Sequence, residues 1–260
     1  MFPQVLRTEF MKLRRSKITW ATLGALSMAP LGLALFMWIV REPTRAAQLG
    51  LLGTKANLSG IEANWPSFTY MVTVVVGVGG MLVLSFIVAY VFGREYTDAT
   101  AKNMLAVPIA RHWFVIAKLV VAAVWWIVLV LAVLAESFAI GLLLGLPGFS
   151  AGLATSAIGN ALVSALIAYL VVPPIAWAAT LGRGYLPPIA FAILTLGLGN
   201  LFGHTGWAIW FPWSIIPLLV GMVGNPVESL PAGSYIVVAL TFALGVAATI
   251  AQLRWADCAQ

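Results

Sequence analysis

The sequence of 260 residues contains a single cysteine, Cys258. One cysteine cannot form an intrachain disulfide, and it cannot supply the cysteine cluster of a metal site. Charged residues are also scarce, at 8% of the chain, whereas soluble domains carry roughly a quarter. Because 62% of the residues are hydrophobic, most of the surface is expected to face lipid rather than water.

The sequence also lacks the G-x-x-x-x-G-K-[ST] loop that cradles the phosphates of ATP. No paired Asp residues, His-Glu cluster or Ser/His pair marks an intramembrane enzyme. The net charge of +6 does not indicate nucleic acid binding, because the basic residues lie beside the ends of apolar runs. We therefore expect no catalytic residue, no metal and no cofactor on this chain.

Long apolar runs are what the sequence has in abundance. Six runs approach the ~20 residues that a spanning helix needs: Ile18–Val40, Tyr70–Phe92, Phe114–Leu144, Ala154–Thr180, Leu186–Phe202 and Ser234–Leu253. They predict an all-α integral membrane protein with six transmembrane helices, forming one domain over residues 1–260. The first run is too long for a signal peptide. The third exceeds one bilayer, so its first turns are expected in the interface. Pro173-Pro174 and Pro187-Pro188 predict kinks in the fourth and fifth.

The distribution of basic residues predicts the orientation of these spans. Three of the 14 lysines and arginines fall on one side, in the segment after the first span. The remaining residues fall on the other side: Arg7, Lys12, Arg14, Arg15, Lys17, Arg94, Lys102, Arg111, Lys118, Arg183 and Arg254. Cytoplasmic loops carry the excess of positive charge, so both termini are predicted to be cytoplasmic.

Two segments are neither spans nor simple loops. Residues 1–17 place Phe2, Leu6, Phe10 and Leu13 at helical spacing among basic residues, which predicts an amphipathic helix in the headgroup layer. Residues 203–233 contain several tryptophans, four prolines and an apolar stretch too short to cross. This pattern predicts a re-entrant hairpin or a pair of short helices on the outer face before the last span.

The loop at residues 93–113 holds the densest set of charges in the chain. Asp98 can cap a short helix that runs to about Leu105, and Pro108 would end it by removing a donor. Arg111 and Lys118 then open the third span. A short helix held tightly between two spans cannot move without moving them, so it is suited to transmit force from a partner beneath the membrane. The alternative is a solvated loop that only obeys the positive-inside rule.

The string Arg94-Glu95-Tyr96, Thr100, Leu105, Pro108, Arg111 and Lys118 resembles that of the type-2 ABC transporter permeases. The basic amphipathic amino-terminal helix, the six spans and the broken outer hairpin match the same plan. The size of the chain and the Phe-Pro-Trp-Ser run at Phe211–Ser214 are most similar to the bacitracin and lantibiotic immunity branch of that family.

The resemblance implies a permease subunit of an ATP-driven exporter in the bacterial cytoplasmic membrane. A separate ATPase subunit, in two copies, would hold ATP and Mg²⁺, and a second permease chain, identical or similar, would complete the pathway. The residues implied in coupling to the ATPase are Arg94, Glu95, Tyr96, Asp98, Thr100, Leu105, Pro108 and Arg111. Arg94 and Glu95 would contact the ATPase or lock the coupling helix to the amino-terminal segment.

The substrate of such an exporter would be an amphipathic antibiotic, an antimicrobial peptide or a lipid-like molecule. Aromatic residues that are candidates for contacting it are Trp125, Trp126, Trp210 and Trp213, which are equally suited to anchor the interface. Glu136 is the acidic residue well inside a span, so it is a candidate pathway residue, or it hydrogen-bonds a neighbour. The alternative function is an ion-coupled secondary transporter or channel with no ATPase partner.

Overall fold

The computed structural model describes residues 2–51, 61–100, 109–223 and 230–255. Within these ranges the chain is helical and contains no strand. In chain order the helices are α1 (Phe2–Arg14), α2 (Lys17–Arg41), α3 (Pro43–Gln48), α4 (Trp65–Val74), α5 (Gly80–Thr97), α6 (Arg111–Leu143), α7 (Ala151–Leu170), α8 (Pro173–Leu181), α9 (Leu186–Gly203), α10 (Ile215–Leu219) and α11 (Ala232–Trp255). A π-helical turn, Val75–Gly79, joins α4 to α5.

Six helical segments of the described chain are long and apolar enough to cross a membrane. They are Lys17–Arg41, Trp65–Thr97, Arg111–Leu143, Ala151–Leu181, Leu186–Gly203 and Ala232–Trp255. Five of them contain a predicted run in full, and Arg111–Leu143 contains all of its run except Leu144, so the predicted all-α fold with six spans is confirmed. Large apolar side chains such as Leu31, Ile127 and Leu244 remain exposed on them, as expected where lipid is the solvent.

The second span begins five residues before the predicted start at Tyr70. Asn64 caps the helix by accepting a hydrogen bond from Ser67 N–H at 2.9 Å, and Trp65 follows it at 2% exposure. A Cβ on Gly141 of α6 would lie 2.5 Å from the ring of Trp65. The start of this span is therefore set by a cap and by one aromatic side chain packed on a glycine.

The two proline pairs have different effects on the helices. Pro173 and Pro174 lie where a kink was predicted in the fourth span, and the helix there stops at Leu170 and resumes as α8. Pro187 and Pro188 lie in the first turn of α9. A proline there leaves no hydrogen bond unmade, so the kink predicted for the fifth span was wrong.

The third span, α6, is a single helix of 33 residues. At 1.5 Å per residue it is about 50 Å long, whereas the hydrocarbon core of a bilayer is about 30 Å thick. Its first turns pack on α1 instead: Val5 is buried against Phe114 and Ala117, and the Phe2 and Trp113 rings are 4.9 Å apart. Helix α1 thus covers the first turns of α6, the turns that the sequence predicts to lie in the interface.

The segment after α9 forms turns up to Ser214 and then the short helix α10. Ile215 and Ile216 of α10 are fully buried, and Ile216 and Val220 lie against Gly77 of the π-helical turn. One short helix of the predicted hairpin is therefore present. Residues 224–229 lie outside the described ranges, and the re-entrant path stays a prediction.

Candidate functional site

Four charged side chains meet where α1, α5 and α6 come together. Lys118 Nζ lies 3.0 Å from Glu9 Oε2 and 3.0 Å from Glu95 Oε1. Lys12 Nζ lies 2.8 Å from Glu9 Oε1 and 2.8 Å from the same Glu95 Oε1. Each lysine therefore bridges both glutamates, and we call Glu9, Lys12, Glu95 and Lys118 the charge cluster.

Helix geometry explains why these four residues converge. Glu9 and Lys12 are three residues apart on α1 and therefore share one face. Glu95 lies in the last turn of α5, and Lys118 lies two turns into α6. Since α1 packs along the first turns of α6, the three helix faces enclose the four side chains.

The remaining hydrogen-bonding capacity of the buried members is also used. Lys118 donates to Val91 O at 2.8 Å, and Glu95 Oε2 accepts from Thr100 Oγ1 at 2.7 Å. Buried charges are tolerated only when they are paired and hydrogen-bonded. The cluster meets this condition, with two positive and two negative groups.

Burial makes the cluster expensive to break. The side chains of Glu9, Glu95 and Lys118 are 5%, 4% and 4% exposed. Removing one partner of a buried ion pair costs about 3–5 kcal/mol, because the other charge is left uncompensated. With every carboxylate oxygen facing a lysine or Thr100, the cluster offers no ligand set for a metal ion.

Lys12 is the member of the cluster closest to solvent, with 30% of its side chain exposed. Partial burial lowers the pKa of Lys12, but the charges and hydrogen bonds of Glu9 and Glu95 outweigh that effect and raise the pKa above 10.5. The ion pairs of Lys12 therefore stabilise the fold at neutral pH and are lost only as the pH rises through that raised value.

Arg94 adds a second connection between α5 and α1. Its Nη1 donates to Lys12 O at 3.4 Å, and its Nε donates to Asp98 Oδ2 at 3.2 Å. The guanidinium also lies 5.9 Å from the centre of the Tyr90 ring. Arg94 and Glu95 therefore join the end of α5 to α1, and their expected roles in locking the coupling helix or contacting an ATPase stay predictions.

The structure corrects where the second span ends. Arg94, Glu95 and Tyr96 belong to α5, which continues to Thr97, and not to a loop that begins after Phe92. Charges can remain in the helix because Lys118 and Lys12 neutralise Glu95. Asp98 follows α5 as its carboxyl-terminal cap, and Ala99 has a φ of +54°. The predicted helix up to Leu105, and Pro108 after it, fall on residues 101–108, outside the described part of the chain.

The other end of the loop is tied to the last span. Arg111 is the first residue of α6, and its Nη1 donates to Leu253 O and, at 2.9 Å, to Arg254 O. A cation at the carboxyl end of α11 satisfies free carbonyls and complements the helix dipole. The loop between Asp98 and Ala110 thus starts at the charge cluster and ends at a contact with α11.

The predicted pathway residues make contacts with different helices. Trp125 donates to Thr22 Oγ1 at 3.1 Å and Glu136 accepts from Ser27 Oγ at 2.8 Å, so both connect α6 to α2. Trp126 is buried and donates to Ala165 O of α7. Trp210 and Trp213 lie in the turns before α10, where Trp210 is half exposed and Trp213 packs on Phe191. For Glu136 the hydrogen bond to a neighbour is observed, and a pathway role stays a prediction.

Sequence reasoning left three members of the charge cluster out of the coupling set. Lys12 and Lys118 were counted for orientation, and Lys118 also for the family resemblance, whereas Glu9 received no role. A signal for Glu9 was present: it falls three residues after Leu6 and four before Leu13, within the apolar stripe of a basic helix. An acid at such a position indicates a buried basic partner.

Comparison with known proteins identifies the family of this chain. Residues 5–199 match the family described as ABC-2 family transporter protein. The chain is also 29% identical over 178 residues to the bacitracin transport permease protein BCRB of Bacillus licheniformis, covering 68% of this chain and 85% of that protein. The matched region runs from α1 into α9 and includes the whole charge cluster. The chain therefore belongs to the ABC-2 family of transporter proteins and is related to its bacitracin permease branch.

Proposed function

We propose that this ABC transporter membrane subunit exports an amphipathic peptide antibiotic of the bacitracin type from the membrane, driven by a separate ATPase. The observation that carries the proposal is the charge cluster, which joins α1, α5 and α6 at the start of the loop between the second and third spans. Similarity to a bacitracin transport permease over most of that protein supports the substrate class.

The charge cluster supports coupling through rigid attachment. Glu95, in the last turn before the loop, is bonded to Lys12 of α1 and Lys118 of α6. A force applied to the loop by a partner would therefore reach three helices together. Such a joint transmits motion well because its buried ion pairs break only at a cost of several kcal/mol.

The assembly that we propose contains two ATPase subunits and two permease chains in the bacterial cytoplasmic membrane, with both termini of each permease in the cytoplasm. The absence of a phosphate loop in this sequence supports a separate ATPase. The coupling residues in this proposal are Arg94, Glu95, Tyr96, Asp98, Thr100, Leu105, Pro108 and Arg111.

The function is tested by expressing the chain together with its ATPase in a bacitracin-sensitive bacterium. We expect the pair to raise the bacitracin concentration that stops growth, and neither protein alone to do so. An unchanged sensitivity to bacitracin, with both proteins present in the membrane, would remove this substrate class.

Coupling is tested by Glu95→Gln, which keeps the shape of the side chain and removes its charge. We expect the variant to insert and to bind the ATPase, but bacitracin should no longer stimulate ATP hydrolysis by the purified complex. The matched control is Glu42→Gln, because Glu42 is an exposed carboxylate paired with Arg45 on α3. Wild-type stimulation in the Glu95 variant would exclude this residue from coupling.

A further inference from the structure

A cleft of about 790 Å³ opens between α1, the start of α2 and α5. Its lining carries four basic side chains, Lys12, Arg15, Lys17 and Arg94, and no acidic one. Met11 and Ile18 add an apolar wall. The cleft therefore suits a ligand that is anionic at one end and apolar at the other.

The charges of the cleft are only partly neutralised by the protein. Lys12 is paired with Glu9 and Glu95, and Arg94 with Asp98. Arg15 and Lys17 are exposed, and in the described ranges no carboxylate pairs with either. Two positive charges thus line the cleft with no counter-charge among the residues that the structure describes.

The position of these two cations at the amino-terminal end of α2 is unfavourable without an anion. Lys17 is the first residue of α2 and Arg15 precedes its cap, Ser16. The amino-terminal end of a helix carries a partial positive charge, so it favours anions and disfavours cations. An anionic group in the cleft would offset both the helix dipole and the two side chains.

The surface next to the cleft indicates where that anion comes from. Trp20, one turn into α2, is 73% exposed, and Met28, Leu31 and Leu35 continue the exposed apolar surface along the first span. Tryptophan is enriched at the level of the lipid headgroups. We therefore expect the cleft at the level of the lipid headgroups, next to the exposed apolar face of α2.

We propose that this basic cleft binds the phosphate of an anionic phospholipid, whose acyl chains lie along the exposed face of α2. Basic pockets at the ends of transmembrane helices bind such headgroups. Free phosphate would make no apolar contact with the wall formed by Met11 and Ile18, whereas a lipid would, so the lipid fits the cleft better. The cleft shares Lys12 with the charge cluster and Arg94 with the proposed coupling residues, whereas Arg15 and Lys17 belong to neither set.

The test is a lipid titration of the detergent-purified full-length chain, followed by native mass spectrometry. Phosphatidylglycerol is compared with zwitterionic phosphatidylcholine, and inorganic phosphate is added as a competitor. The variant is Arg15→Gln with Lys17→Gln. The matched control is Arg7→Gln with Arg14→Gln, which removes two exposed cations from α1 that do not line the cleft. Helicity and elution volume check that both variants are folded.

We expect the wild-type chain and the control to prefer phosphatidylglycerol, and the cleft variant to bind it roughly tenfold more weakly or worse. Equal binding by the cleft variant, or equal loss in both variants, would overturn the proposal. Displacement of the lipid by millimolar inorganic phosphate would assign the cleft to free phosphate instead. If the cleft variant keeps the lipid but loses the ATPase in a pull-down, the cleft is a protein contact and the proposal is wrong.

Discussion

Lys118 illustrates how single residues hold this protein together. Its ammonium group is almost removed from water, and its three donors are matched by Glu9, Glu95 and Val91 O. Lysine supplies three N–H donors and no acceptor, so these contacts use it completely. The residue joins α1 and α5 to α6 from a single point.

Loss of this lysine should destabilise the protein strongly. Lys118→Met keeps an unbranched side chain but leaves Glu9 and Glu95 to share Lys12 alone. We expect a loss of about 3 kcal/mol or more in the free energy of unfolding, seen as a lower melting temperature in detergent. Arg14→Met, at an exposed position of α1, is the control and should have little effect.

A double variant separates charge imbalance from lost packing. Lys118→Met combined with Glu95→Gln leaves Glu9 and Lys12 as one neutral pair. The double variant should be more stable than the sum of the two single changes predicts. Additive losses would mean that the side chains contribute by packing and not by pairing.

The residues of the site were predictable to different degrees. The spacing of Arg94, Glu95 and Arg111 was visible in the sequence through the family resemblance. The partners of Glu95 were not, because α1 and α6 are about a hundred residues apart in sequence and nothing local links Glu9 to Lys118. Contacts of this kind depend on how the helices pack, which cannot be predicted from a single sequence.

Among the helical elements, the second span has the most unusual backbone. Its π-helical turn at Val75–Gly79 divides it into α4 and α5, and Gly80 follows directly. Trp126 of α6 packs onto Gly80 and donates to Ala165 O of α7. One indole therefore connects three spans, and it fits there because Gly80 has no side chain.

Adjacent glycines provide a matched test of this packing. A Cβ on Gly80 would overlap the ring of Trp126, whereas a Cβ on Gly79 would meet nothing within 4 Å. We expect Gly80→Ala to cost about 1–3 kcal/mol through overpacking. Gly79→Ala should be neutral or stabilising by up to about 1 kcal/mol. Melting temperatures of the two variants compare them directly, and equal values would exclude the packing argument.

The spanning helices were predictable because the length and hydrophobicity of a run are enough to identify them. A run of about 20 apolar residues has few alternatives to a spanning helix in lipid, and all six runs proved to be helical, the fourth in two pieces. The prediction from charge and hydrophobicity made the second span too short at both ends. Asn64 caps the helix before the predicted start, and the buried ion pairs of Glu95 allow it to continue past the predicted end. The π-helical turn has no marker in composition and was not predicted.

At the scale of the whole molecule, family membership decides between the two classes of transporter that the sequence left open. An ion-coupled transporter needs ionisable sites near the middle of the membrane. Glu136, the candidate for such a site, is hydrogen-bonded to Ser27, and residues 5–199 match the ABC-2 family. The chain is a membrane subunit of an ABC transporter.

Orientation is testable with the single native cysteine. The excess of basic residues on one side predicts a cytoplasmic carboxyl terminus, so Cys258 should react with a membrane-impermeant maleimide only after the cells are permeabilised. The control is Cys258→Ser with Arg45→Cys, which places the only thiol on exposed α3 between the first two spans. That variant should be labelled in intact cells. The reverse pattern would invert the topology.

The burial of Glu9, Glu95 and Lys118 has a further consequence, for salt tolerance. Dissolved ions weaken attractions between charges that water reaches, and they barely affect charges shielded from it. The pair of Arg45 and Glu42, with side chains 68% and 43% exposed, should weaken as salt is added. Glu9, Glu95 and Lys118 should not. A change in salt concentration should therefore leave α1 attached to α5 and α6.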